Sequence, residues 1–425
     1  MAKLYNEKSI ESLSPLEFTR LRPQVYAGNT TYSTQLLVEI LSNAVDEFRL
    51  GNGNRIEVTI EKDVVTVKDY GQGFIPNSFR EDGKSILEAA FSVLNTSGKY
   101  RDDGVYEGTS LGSFGIGSKI TTYLSHWLDV ATKRDGQIEF IHFKEGEFSA
   151  RAKSAPGAFN NKDISGTFVR WCPSEEFFTN TEVETSKVKE LFKTITCLCP
   201  GLTIELNENG NKITYYSKNG LNDLVDEAVK DKEILKNRFN MNFTDGKSKL
   251  DLIITYTSNY SFSIVPYVNT GLTESGPHIT QIKTVITKEF NKFFREKKWI
   301  KEKEENLTGE DIQEGMYIAF NLTASGIAYD AQVKSRVTKV DMKPYLETFS
   351  IELRNWLIKN EKEIKIIADK ALNARKAREA AKKARDNVRE PKKTGLKAKM
   401  QISDKFIDCV SKNPKERNLL LVEGR

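Results

Sequence analysis

Cysteine and histidine are scarce in this 425-residue chain, which has four of the first (Cys172, Cys197, Cys199, Cys409) and three of the second (His126, His142, His278). So few, so widely spread, they make no disulfide framework. No second Cys/His pair stands near Cys197-x-Cys199 to complete a zinc site, so those thiols read as a buried pair in a reducing cytoplasm. Long apolar runs are missing too. None approaches the roughly 18 residues that span a membrane, and the opening MAKLYNEKSIESLSPLEF lacks the apolar stretch of a secretory signal. There is no internal repeat and no collagen-like period. What remains, 38% hydrophobic and 29% charged residues, is a globular profile with enough apolar content for sizeable cores. At roughly 100–200 residues per domain the length predicts two to four of them.

Net positive charge is lacking over most of the chain, because one segment holds it. Residues 370–399 carry twelve Lys/Arg against three acids, a net +9 in a chain of net +5, which leaves −4 for everything else. Such a footprint suits a polyanion, although a solvated Ala-rich helix would read the same way.

Hydrophobic periodicity organises the rest. Residues 33–49 read as a helix, and 55–60 and 64–68 as strands around the turn Glu61-Lys62-Asp63. Helical patterns follow at 84–95, from 118, and at 184–198. Strand patterns occupy 128–133, 137–143, 147–153 and 167–172, and 202–217 forms a hairpin around Asn209-Gly210. A fresh unit begins with a helix at 220–237 and contains strands 249–257, 260–268 and 316–322. The last is expected to pair with 327–333 across Ala324-Ser325-Gly326, with helices at 276–298 and 342–388.

Three pieces of the first third carry chemistry. On helix 33–49, Leu37, Ile40, Leu41, Ala44 and Phe48 share one face, while Glu39, Asn43 and Asp46 lie opposite. Strand 64–68 delivers Asp69 into Asp69-Tyr-Gly71-Gln-Gly73-Phe-Ile75-Pro. A carboxylate there either caps a turn or accepts a hydrogen bond from an exocyclic amine such as that of adenine. Gly112-Ser113-Phe114-Gly115-Ile116-Gly117 then exposes backbone N–H groups ahead of a helix N-terminus, which makes a phosphate site. It is not a Walker A loop, because Ser118-Lys119 stands where Lys-Ser/Thr is required.

In order, Glu39-x-x-x-Asn43, Asp69-x-Gly71-x-Gly73, Gly112-x-x-Gly115-x-Gly117 and Gly166-Thr167 resemble the four motifs of the GHKL ATPase superfamily. Further features are similar to type II DNA topoisomerases of the gyrase B kind: RLRPQVYAG at 20–28, Ser275-Gly-Pro277-His278, Gln332-Val333-Lys334, the basic helix, and Leu421-Val-Glu423-Gly424. Gln72, Pro277, Val333 and Arg425 depart from bacterial gyrase and resemble the large subunit of T-even-type phage topoisomerases.

That resemblance implies an α+β protein: a Bergerat-type α/β sandwich ATPase domain over 1–217 with an arm at 1–14, and a smaller transducer domain over 218–369. A basic linker helix at 370–399 and the start of a Toprim domain at 400–425 would follow. It implies ATP and Mg2+ as ligands. Glu39 would be the general base on the attacking water, and Asn43 a magnesium ligand. Asp69 would read the adenine amine, with Gly71, Gly73, Ile75 and Thr167 around the base. Lys99 and the loop residues Gly112, Ser113, Phe114, Gly115, Ile116 and Gly117 would hold the phosphates. Lys334 and Gln332 would reach the γ-phosphate from the second domain, and Tyr5 the partner's nucleotide. Lys382, Lys383 and Arg385 would bind double-stranded DNA, and Glu423 would belong to an incomplete Toprim magnesium site, so the chain alone would cut no DNA. The implied partners are DNA, a second copy joined when ATP binds, and another topoisomerase chain carrying the cleavage tyrosine, with no membrane. The rivals are a mismatch-repair- or chaperone-like clamp on the same ATPase, and a nucleotide-gated clamp with negligible hydrolysis.

Overall fold

The computed structural model describes residues 13–94, 115–246, 248–330, 334–389, 413 and 415. The chain divides into two compact units, one up to Ala371 and one from Leu372 onward.

The first unit holds two large sheets. Eight strands build the first: β1 (Arg55–Glu61), β2 (Val64–Asp69), β3 (Ser125–Arg134), β4 (Gln137–Lys144), β5 (Glu147–Ala152), β6 (Gly166–Pro173), β7 (Thr203–Glu208) and β8 (Asn211–Tyr216). Their order is β5-β4-β3-β6-β2-β1-β7-β8, antiparallel except for β1 beside β7. The β1–β2 hairpin follows from its alternation. Ile56, Val58 and Ile60 are buried on one face, and Val58 faces Val67 as Ile60 faces Val65. Lys62 supplies the left-handed turn residue, at φ 58°.

Helices α1 (Pro15–Leu21), α2 (Gln24–Ala27), α3 (Thr34–Arg49), α4 (Ile86–Ser92), α5 (Gly117–Tyr123) and α6 (Thr185–Leu198) accompany this sheet. In α3, Leu36, Leu37, Ile40, Leu41, Ala44 and Val45 recur at helical spacing and are all buried against it. Each of the Leu, Ile and Val side chains contributes roughly 1.5–3 kcal/mol by leaving water. Asp46, expected on the polar face, is buried instead, and the Lys334 ammonium is its electrostatic neighbour.

Five strands build the second sheet: β9 (Phe239–Asp245), β10 (Ser248–Tyr256), β11 (Ser263–Val268), β12 (Gly271–Leu272) and β13 (Met316–Thr323), ordered β12-β11-β13-β10-β9. Helix α7 (Leu221–Ala228) packs on one face through Leu221 and Val225. Helices α8 (Pro277–Glu296) and α10 (Lys343–Lys359) pack together, with α10 against β9, and α9 (Gly309–Gln313) beside α8. A small ribbon joins β14 (Ala328–Tyr329) to β15 (Val337–Lys339). These are the mixed sheets and helices of an α+β protein.

Three expectations are corrected. The helix predicted over 220–237 stops at Ala228, and Phe239, Met241 and Phe243 form a strand with period two. The segment after Gly326 does not pair with β13, because β10 and β11 occupy both of that strand's edges. The helix predicted over 342–388 is two helices, α10 and α11 (Glu361–Arg389), separated at Asn360, whose side-chain amide donates back to the Trp356 carbonyl at 2.9 Å.

The second unit is represented by the C-terminal part of α11, where Lys382, Lys383 and Arg385 are all exposed. Among the described residues no helix is long and apolar enough to cross a membrane.

Candidate functional site

The end of β2, the polar face of α3 and the start of α5 surround a cavity of about 440 Å3, within the range of small-molecule sites. Its floor is apolar, with Ile40, Val67 and Val169, and Ile75, Ile86 and Phe91 line it further on. Polar groups stand at defined points.

Asp69 is one. Its carboxylate is buried, and Oδ1 accepts the backbone N–H groups of Gly71 at 2.8 Å and Thr167 at 3.2 Å. Burial pushes its pKa up to about 7, the Glu47 carboxylate adds to this, and the two amides oppose it. Close approach makes glycine obligatory around it. A Cβ on Gly166 would sit 2.2 Å from the Asp69 carbonyl oxygen. One on Gly73, at φ 67°, would sit 2.7 Å from the Lys133 carbonyl oxygen. Thr132 fastens the loop by accepting the Phe74 N–H at 2.8 Å.

Glu39 is the second. Gln35 donates to its Oε1 at 2.8 Å. Burial raises its pKa, while Lys334 and Gln35 pull it down. Lys334 is thus beside the carboxylate, its own pKa lowered by burial and raised by Glu39 and Asp46. Gly117 opens α5 against the same side chain, and a Cβ there would lie 2.2 Å from Glu39 Oε2. Asn43, one turn beyond Glu39, is exposed toward the cavity.

The structure therefore gathers Glu39, Asn43, Asp69, Gly73, Ile75, Gly115, Ile116, Gly117 and Thr167 around one cavity. Gly71 stands behind Asp69 and does not line it; Lys334 also lies outside the lining but next to Glu39. Tyr5, Lys99, Gly112, Ser113, Phe114, Gln332 and Glu423 fall outside the described residues.

Three charged lining residues escape a reading of the sequence. Glu47 continues the stripe Glu39–Asn43 by another four residues, and its Oε2 accepts the Gln72 N–H at 3.1 Å; helical spacing is a sufficient signal for it. Lys119 lines the cavity, and burial lowers its pKa to about 8. Arg134 arrives from β3, with no local motif to announce it.

Glu39 and Asn43 offer carboxylate and amide oxygens one turn apart on the cavity wall, a hard donor pair that suits magnesium bound with a polyphosphate.

The family model DNA gyrase B matches residues 220–387. The B subunit of DNA topoisomerase 4 from Bacillus subtilis is 31% identical over 429 residues, 99% of this chain and 64% of its own length. The B subunit of DNA gyrase from Thermotoga maritima is 30% identical over 99% of this chain and 67% of its own length. The chain therefore spans about two thirds of the length of these relatives. Among solved structures, the 43K ATPase domain of Thermus thermophilus gyrase B in complex with an aminocoumarin superposes with a TM-score of 0.66 at 26% identity, covering 87% of this chain and 97% of that one. The topoisomerase IV ATP-binding domain of Francisella tularensis shares the fold at a TM-score of 0.70, covering 85% and 97%. Similar to these proteins along nearly its whole length, the chain belongs to the gyrase B family of type II topoisomerases, of which it carries the ATPase region.

Proposed function

We propose that the chain binds and hydrolyses ATP as the gate of a type II DNA topoisomerase, dimerising around a DNA segment when ATP binds and reopening after hydrolysis. One observation carries this reading: a single cavity has a buried carboxylate, Asp69, at one point and a half-buried carboxylate, Glu39, at another against a helix N-terminus. Adenine would sit at Asp69 and Thr167, with Gly73 and Ile75 about it. The triphosphate would run toward Gly115, Ile116 and Gly117, whose backbone faces the cavity at the start of α5. Glu39 would orient the water and take its proton. Asn43 would hold magnesium, which neutralises phosphate charge when bound with the nucleotide. Lys334, already beside Glu39, would contact the γ-phosphate, and loss of that group would break a charge-assisted contact.

The proposed division is an ATPase domain over 1–217, carrying the eight-stranded sheet, and a transducer over 218–369, carrying the five-stranded one. A basic linker at 370–399 and a Toprim start at 400–425 follow. The partners would be duplex DNA, a second copy and another chain bearing the cleavage tyrosine, in the cytoplasm. Gln72, Pro277, Val333 and Arg425 support a T-even-type phage affiliation within the family.

The direct test is assembly. A non-hydrolysable ATP analogue is expected to convert monomer to dimer in light scattering, and deletion of residues 1–14 to abolish the shift. A constitutive dimer, or none with nucleotide, contradicts the gate.

DNA binding has its own test. Lys382, Lys383 and Arg385 are exposed along one helix, and each phosphate neutralised adds about −0.9 to the salt slope. Changing all three to Ala is expected to flatten that slope by up to about 3 units and to weaken DNA stimulation of hydrolysis, with basal turnover kept. An unchanged slope removes this helix from the DNA path.

A further inference from the structure

A second cavity, of about 210 Å3, lies between the five-stranded sheet and the connection from α6 to α7. Three polar residues meet it in one cross-strand row. Asn242 of β9 faces Asp251 of β10, and Asp251 faces Asn321 of β13, so all three side chains leave the sheet on the same side. Asn321 is 5% exposed. Its Nδ2 donates to the Leu198 carbonyl at 3.2 Å, while its Oδ1 is buried with no hydrogen-bond partner. The opposite amide orientation would set Oδ1 against that carbonyl, oxygen against oxygen, so the orphan is fixed as an acceptor. Asp251 is half-buried, and its carboxylate has neither a hydrogen bond nor a salt bridge among the described residues. Burial raises its pKa, and the neighbouring Lys249 charge opposes the rise.

An orphaned buried acceptor and a half-buried carboxylate on one small cavity call for a positive or hydrogen-donating occupant. We propose that this cavity is a monovalent-cation site, with the Asp251 carboxylate, Asn321 Oδ1 and the Asn242 amide oxygen as protein ligands and water completing the shell. Charge decides the valence. The row offers one formal negative charge and neutral amides, and the exposed Lys218 and Lys249 stand at the rim and on the same strand. Divalent-ion sites tune affinity by accumulating carboxylates, which this cavity lacks; no group of three or more acidic, His or Cys side chains suited to a metal occurs among the described residues. An ion here would tie β9, β10 and β13 to the end of α6, the contact already begun by Asn321 and Leu198. The site is separate from the nucleotide cavity and does not depend on its proposed function.

The test uses crystals of the whole chain soaked in thallium(I), a potassium mimic with strong anomalous scattering. The expected result is an anomalous peak in contact with Asp251 and Asn321, absent in Asp251→Asn, a near-isosteric change at a half-buried position. In solution, melting in potassium is expected on the order of 2 °C above melting in choline at equal ionic strength, with the difference lost in the same variant. No peak, a peak that persists in Asp251→Asn, an equal potassium effect in both proteins, or manganese taking the site instead would each overturn the assignment.

Discussion

Replacing Glu39 by Ala is expected to leave ATP binding intact and to lower hydrolysis by about 10²–10⁴-fold, the usual worth of a positioned general base. The geometry separates the two effects. Glu39, on helix α3, lies against Gly117, where phosphates would end, while Asp69, the proposed reader of the base, stands at the end of β2. Burial raises the pKa of Glu39, the direction that favours taking up a proton. Removing it also deprives Lys334 of an anionic neighbour, so the variant's ATP-bound dimer is expected to persist, not weaken. Steady-state turnover together with calorimetric ATP affinity checks this. Turnover within threefold of the parent would end the assignment.

Asp69→Asn is the counterpart, expected to lower ATP affinity by about 1.5–3 kcal/mol, the range for hydrogen bonds to charged groups. The amide can turn an N–H toward the adenine amine where the carboxylate only accepts. A pH dependence belongs to the same residue. Because burial lifts Asp69 to about 7, the free protein holds a proton there through the acid range. The amine needs the ionised form, so ATP affinity is expected to rise with pH up to about 7 and then level off, and Asp69→Asn to lack the rise. For stability the sign is opposite. The folded state keeps a proton that the unfolded chain loses above about 4, so this group's contribution declines as pH rises from there to about 7. Calorimetry across pH 5.5–8, as a rough window around that value, reads out both proteins. Equal affinity at every pH would exclude Asp69 from the base pocket.

Much of the site is legible in the sequence because short-range rules govern it. Helical spacing puts Glu39 and Asn43 on one wall, and strand alternation brings Asp69 to the end of β2. Residues placed by tertiary packing are not legible. Arg134 reaches the cavity from β3, and Lys119 is buried in it by the packing of α5, facts that no local pattern encodes. The second sheet reads less well than the first. Period-two alternation at Phe239, Met241 and Phe243 merges with a neighbouring helical pattern, and the hairpin signal at Ala324-Ser325-Gly326 cannot reveal that β13 is already flanked on both sides. The break at Asn360 carries neither proline nor glycine, the usual marks of a helix end.

Position 117 admits only glycine if Glu39 is to keep its place. Any replacement of glycine adds a Cβ, and the atom it would strike is the end of a side chain, not backbone. The chain could still fold by turning Glu39 aside, so the penalty falls on turnover while stability is largely spared. Ile75 and Ile86, which are partly exposed, face no such bar. The rim of the pocket therefore accepts a change of apolar side chain that its inner end does not. The spacing between the Glu39 carboxylate and the start of α5 has no such freedom.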